Sequence, residues 1–334
     1  MLAIEHRKEQ IMISRTLLAG VAAISILISS MAFAGSAAPP VGKSEIVFTA
    51  DKNYSESASW SSKQNRFFVG SVTHGTVGTV TQDGKYKPFI EDDKLVSTIG
   101  ILVDDARDTL WVANSDPGAG TRTAAATQGT LAGIAKYDAI TGKRLAYYDL
   151  GPLTEGPHFA NDLALDDEGN AYVTDSFAPV IYKIDTTGKT SIFAQSPLFK
   201  DAEGFNLNGI AYHKGGYLLV GKYNSGDLFK VTISNPTDIR RVELAGSLKG
   251  ADGFSLPDGE RLYVAVNLGI DKTIELVSTD DWKTAKVARE VKSVQSMPTA
   301  PTKVGNAVWV LNSRLDTLFN PKADKVSDFT LQKF

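Results

Sequence analysis

Six times along this chain a short apolar run is centred on a valine: RFFVGS, LWVANS, AYVTDS, YLLVGK, LYVAVN and VWVLNS. The valines are Val69, Val112, Val173, Val220, Val264 and Val310, separated by 43, 61, 47, 44 and 46 residues. Self-similarity at a period of about 40 to 50 residues marks a repeat architecture, in which each unit buries its apolar face against the next. Around each valine strand lie an earlier apolar segment, a polar Asp/Gly turn, a polar loop and further alternating strands. In the third unit NDLALD leads through Asp167-Glu168-Gly169-Asn170 into AYVTDS, then to VIYKID and, after Thr186-Thr187-Gly188, to TSIFA. Four short strands repeated at that period make a propeller blade, whereas a sandwich lacks the long repeat. The pattern predicts an all-β fold: a six-bladed β-propeller of four-stranded antiparallel blades, occupying residues 44–334.

A ring of blades must hide its last edge, because an open edge strand pairs with other chains. SEIVFT, Ser44 to Thr49, is a spare strand ahead of the first unit and is expected to close the ring against the last blade. Residues 1–34 read as an export signal: His6, Arg7, Lys8 and Arg15 precede an apolar stretch from Leu17 to Ile28, and Ala32-Phe33-Ala34 offers a small-residue cleavage site. Met12 is an alternative start that keeps the same order of features. The apolar stretch is shorter than the roughly 20 residues that span a bilayer, so cleavage, with no stable membrane anchor afterwards, is the expectation. Residues 35–43 form an Ala- and Pro-rich lead-in, and the mature protein is expected in the periplasm or secreted.

Lysine and arginine number 35 against 38 aspartates and glutamates, and no basic run follows the first residues, which argues against a nucleic-acid partner. With no cysteine, the chain has no disulfide, thiolate ligand or cysteine nucleophile. It also lacks G-x-S-x-G, H-E-x-x-H and a phosphate-cradling glycine loop. Asp166-Asp167-Glu168-Gly169 superficially suggests a calcium loop, but its place between two strands makes it a hairpin turn.

The repeat phase locates the central channel. Twelve residues before the valines of units two to six stand Gly100, Asn161, Asn208, Asp252 and Pro298, and in unit one Glu56 lies 13 before Val69. Glu56, Asn161, Asn208 and Asp252 thus place four oxygen donors at one level, the donor set that a hard divalent cation takes. Ca2+ is the first expectation, with Zn2+, Mn2+ and Mg2+ left open; zinc is disfavoured because the ring offers neither His nor Cys. Turn-making Asn and Asp would have no reason to share one phase over four blades.

On these residues the chain resembles the SMP-30/gluconolactonase/LRE-like (regucalcin-like) family of six-bladed propellers. Glu56 of ESASW, Asn161 of ANDLALD, Asn208 of LNGIAY and Asp252 of ADGFSL stand, in order, where that family carries its metal-binding motifs. Ala58 replaces the family's usual proline, and Phe159 stands where its sugar-lactone hydrolases often have arginine, which hints at a less polar substrate. The resemblance implies a lactonase or esterase acting on a small lactone or ester, in which the metal polarises the carbonyl and Asp252 positions or deprotonates water. His158 and His74 are further candidates for proton transfer. Phe159, Asp175, Tyr223, Asn267 and Arg314 are expected around the metal mouth. The insertion at 114–131, rich in glycine and small residues, falls in the mouth loop of unit two and is expected to act as a lid. The reading from another class is a non-catalytic exported propeller that binds a ligand or serves as a scaffold around a structural calcium; fold alone does not decide between them, nor does the sequence set the oligomeric state.

Overall fold

The computed structural model describes residues 43–201 and 204–334, so the expected signal at 1–34 and the expected lead-in up to residue 42 lie outside the described residues. The described chain is a six-bladed β-propeller, with one sheet per blade. The innermost strands are Ala58–Ser61, Ser97–Asp104, Ala160–Leu165, Leu207–His213, Ala251–Ser255 and Pro298–Val304. Each pairs antiparallel with a valine-centred strand, and Val69, Val112, Val173, Val220, Val264 and Val310 face Ala58, Ile101, Leu163, Ile210, Phe254 and Pro301. These second strands lie inside the sheet and are covered by neighbouring blades on both faces. Thr109–Ser115 and Ala171–Asp175 are accordingly buried at every residue, which is why their sequences run apolar instead of alternating. Outer strands such as Arg144–Asp149 contain no fully buried residue and carry exposed charged ones.

All six blades keep the expected four antiparallel strands, with variation at the outer edges of blades four and five. The fourth strand of blade four is only Ile239–Arg241, and blade five gains a parallel fragment, Glu243–Leu244, against Thr284–Lys292. The connection between the two blades thus covers part of the outer edge of blade five.

Ring closure follows the expected route. Glu45–Thr49 pairs antiparallel with Asp328–Lys333 and becomes the outermost strand of blade six. Its alternation fits a half-buried edge strand: Ile46 and Phe48 point inward, whereas Glu45, Val47 and Thr49 face solvent. The Phe48 ring packs 5.7 Å from Phe329 within the blade and stacks 6.4 Å from Tyr86 of blade one, so it joins the two ends of the ring.

One recurrent irregularity shapes the channel. In blades two to six the register of the innermost strand shifts by a bulge just before the residue facing the valine. A bulge kinks the strand and re-aims its side chains. The following glycine is required by close approach: a Cβ on Gly209 would lie 2.2 Å from the Asp252 carbonyl oxygen, and one on Gly253 would lie 2.4 Å from that of Thr299. Adjacent blades touch backbone to backbone at this level, which explains N-G and D-G as local motifs.

Candidate metal centre and its mouth

Counting two residues back from the partner of each valine gives the true ring: Glu56, Ile99, Asn161, Asn208, Asp252 and Thr299. The four expected donors share one level, but Gly100 and Pro298 do not belong to it. The hairpin of blade two is a residue longer than those of blades three to five, and that of blade six is a residue shorter, so a fixed count from the valine misses by one in each.

Hydrogen bonding fixes which atoms face the channel. Asn161 Nδ2 donates to Ser176 Oγ at 2.9 Å, and that hydroxyl donates to the Leu207 carbonyl at 2.6 Å. The amide nitrogen is therefore held outward, leaving Oδ1 to the channel. Asn267 Nδ2 donates to Asp252 Oδ2 at 2.5 Å and to the Pro298 carbonyl at 3.0 Å, while Asn208 and Glu56 lie within hydrogen-bonding reach of the same carboxylate. Asn161 Oδ1, Asn208 Oδ1 and Asp252 Oδ1 are all buried and lack a hydrogen-bond partner among the described residues. Buried polar atoms are almost always satisfied, so three orphaned acceptors at one level, beside Glu56, fit a cation. The set is two carboxylates and two amides; among the described residues no three His, Cys, Asp or Glu side chains gather as a metal cluster. This favours a hard, oxygen-seeking ion over zinc.

The electrostatics agree. Burial pushes the Asp252 carboxyl up to about 7. Burial, then the like charges of Asp252 and Asp162, holds Glu56 well above the usual carboxylate range. Asp162, one residue past Asn161, is a third channel carboxyl, raised to about 7 chiefly by burial. Crowded carboxyls retain protons when no positive charge is near, and a divalent ion reverses that balance.

Two of the ring's neighbours escape a reading of sequence motifs. Thr299, at the ring position of blade six, has a buried hydroxyl without a partner and lines the channel with Glu56 and Asn208. Asp162 occupies a bulge position that is glycine in blades two, four and five, and its carboxylate accepts from the Leu163 amide at 2.8 Å. Register in the bulge is the signal for both, and it needs paired strands to be seen.

Of the expected mouth residues, Phe159 and Tyr223 line a cavity of about 110 Å3 that contains the four ring donors. Asn267 acts one step back: it accepts from Tyr223 Oη at 2.7 Å and donates to Asp252. Asp175 is fully buried away from the cavity, where one carboxylate oxygen takes the amides of Phe159, Phe177 and Ala178. Its other oxygen meets His158 Nδ1 and Tyr182 Oη, each at 3.0 Å. His158 Nε2 contacts the Thr154 carbonyl at 3.0 Å, so both ring nitrogens are engaged and neither faces the ring of donors. The Asp175 bond raises the imidazole pKa, as suits a cation held between a carboxylate and a carbonyl. His74 bonds the Asp51 carbonyl at 2.9 Å, and Arg314 Nη1 reaches the Asp328 carbonyl at 3.3 Å; neither lines the cavity.

The insertion is an ordered wall. Asp116 gathers the hydroxyls of Thr123 and Thr127 and the amides of Gly118 and Ala124, while Arg122 Nη1 bonds the carbonyls of Gly75, Asp92 and Leu95. Pro117 is the residue it contributes to the cavity.

The fold and donor ring therefore define a six-bladed propeller with four oxygen donors at one level of its central channel. No family model and no curated protein matches the sequence. Among solved structures, the Malassezia sympodialis allergen Mala s 1 superposes with a TM-score of 0.69 at 17% identity, over 87% of this chain and 96% of that one. Luciferin-regenerating enzyme gives 0.58 at 14% identity, over 86% and 95%. A protein provisionally named a gluconolactonase gives 0.57 at 13% identity, over 89% and 94%. At these identities the likeness shows a shared six-bladed fold and leaves the chemistry to the site.

Proposed function

We propose that this protein is a metal-dependent hydrolase that opens a small lactone or ester at a divalent cation, with calcium the best match, held by Glu56, Asn161, Asn208 and Asp252. The observation that carries the reading is the convergence of three unpartnered buried oxygens on the floor of an open cavity. A structural ion would be closed off, whereas a catalytic one needs space beside it for a substrate. The gluconolactonase name of one structural neighbour is compatible with this class.

A cation bound there would supply Lewis acidity to a substrate carbonyl and offset the charge on its oxygen in the transition state. The chain's own residues provide the rest. Asp252 has one carboxylate oxygen held by Asn267, which leaves the other to take a proton from a water attacking the carbonyl carbon. As the ester C–O bond breaks, that proton passes to the departing alkoxide, so acid and alcohol leave and Asp252 is regenerated. Tyr223 fixes Asn267, and Asn267 fixes Asp252, so the base is oriented before substrate arrives.

The test is hydrolysis of lactones and aryl esters by the mature protein with calcium and with chelator, beside Asp252→Ala. Turnover that needs both metal and Asp252 supports the reading. A folded, calcium-bound protein inert on the whole panel would overturn it in favour of a binding or scaffold propeller.

A further inference from the structure

The cavity above the donor ring is chemically lopsided. Phe159, Phe205, Met297, Leu315 and Phe319 line it, none with a side-chain hydrogen-bonding group, and among the described residues no lysine, arginine or histidine does. The Tyr223 hydroxyl already donates to Asn267. Among the described residues the remaining polar side chains belong to the metal quartet on the floor. We propose, resting on the hydrolase reading of this site, that its substrate is a small cyclic ester carrying an alkyl or aryl substituent, not a polyhydroxylated sugar lactone.

Three further observations bear on this. First, the aromatic wall is built in advance. Phe159, Phe177 and Phe205 pack with ring centroids 5.2 to 5.5 Å apart, and the buried Asp175 carboxylate pins the backbone amides of Phe159 and Phe177. Second, the wall continues outward as an apolar rim. Phe205 and Phe319 border the cavity yet stay 37% and 52% exposed, and Leu268 and Ile270 on the blade-five mouth loop are 43% and 61% exposed. Large apolar side chains gathered at a cavity mouth mark a binding surface. Third, the size is limiting. The 110 Å3 cavity is smaller than the roughly 150 Å3 that encloses benzene, so it takes only the carbonyl end of a five- or six-membered ring toward the floor and leaves the rest of the ring at the open mouth. A substituent then lies along Phe205 and Phe319. Each ring hydroxyl pressed against this wall would lose its water partners without replacement, a loss of roughly ten- to hundredfold in affinity.

The experiment uses the calcium-loaded protein and two parallel series. One is δ-valerolactones with alkyl tails of increasing length, compared with glucono-δ-lactone for turnover. The other is the matching non-hydrolysable δ-lactams, measured for binding by calorimetry. We expect kcat/KM and lactam affinity both to rise about fourfold per methylene until the tail outgrows the rim. Phe205→Ser and Phe319→Ser, both at exposed positions, should each flatten that slope. Equal or better turnover of glucono-δ-lactone, or rates indifferent to tail length, would overturn the substrate class and leave the hydrolase reading intact. A lactam slope that disappears in the serine variants, with no lactone turned over, would uphold the apolar site and sink the hydrolase reading. A lactam series that does not bind at all would overturn the proposal.

Discussion

Replacing Asp252 with asparagine should make the metal-free protein more stable and the calcium-loaded protein less stable. In the folded chain burial raises this carboxyl from 3.8 to about 7. A raised acid contributes stability fully below its unfolded pKa and loses it as pH rises through the folded value. At pH 8 without metal, therefore, the wild-type protein carries the whole cost of an ionised, buried Asp252. A shift of about three units corresponds to about 4 kcal/mol, and relaxation around the channel brings it to about 2–4 kcal/mol. For a chain of this size that is about 3–7 °C in Tm. An asparagine carbonyl can still accept from Asn267, and its amide can donate to Glu56, so the substitution keeps a partner for each and changes only the contact with Asn208. Thermal melts of wild type and Asp252→Asn should cross: in EDTA at pH 8 the variant melts higher, with excess calcium it melts lower, and at pH 4 in EDTA the two converge. A variant less stable than wild type in both calcium and chelator would refute the argument, because Asp252 would then be a structural acceptor and not a ligand poised for a cation.

Other consequences are as direct. Thr299→Val removes an orphaned buried hydroxyl at nearly constant volume and should weaken calcium binding about three- to tenfold in a competition titration, with Thr299→Ser restoring it. Asp175→Asn exchanges an acceptor for a donor among five hydrogen bonds and should cost about 3–5 kcal/mol by urea unfolding, with lost lactam affinity through the freed Phe159. Phe48→Ala should cost about 3–5 kcal/mol and raise aggregation, since the closing strand is anchored by that ring against blades six and one. Arg122→Ala frees the insertion from the three carbonyls that hold it and should raise KM, with proteolysis mapping the released loop; unchanged protease resistance would show that Asp116 alone orders it.

Much of the architecture lies open in the sequence because propellers repeat. The valine strands are covered on both faces, so they are continuously apolar and visible six times, and Ile46 and Phe48 alternate as a half-buried edge strand must. The donor quartet was legible for the same reason: Asn161, Asn208 and Asp252 sit in blades whose hairpins have equal length, so a fixed count reaches them. Where hairpin length changes, the count fails, and Ile99 and Thr299 stand where Gly100 and Pro298 were expected.

The mouth shows the limit more sharply. Its residues come from loops whose conformation no periodicity governs. Asp175 and His158 sit close to the right residues in sequence, yet their side chains turn into a buried hydrogen-bonded cluster, while Phe205 and Phe319 arrive from segments without any motif. By itself the sequence determined the number of blades, the way the ring closes and four oxygen donors at one height, all consequences of strand period and backbone approach. Only the tertiary structure decided which oxygens are left unpaired and which side chains wall the cavity, because both depend on where each side chain finds its hydrogen-bond and packing partners across blades far apart in the chain.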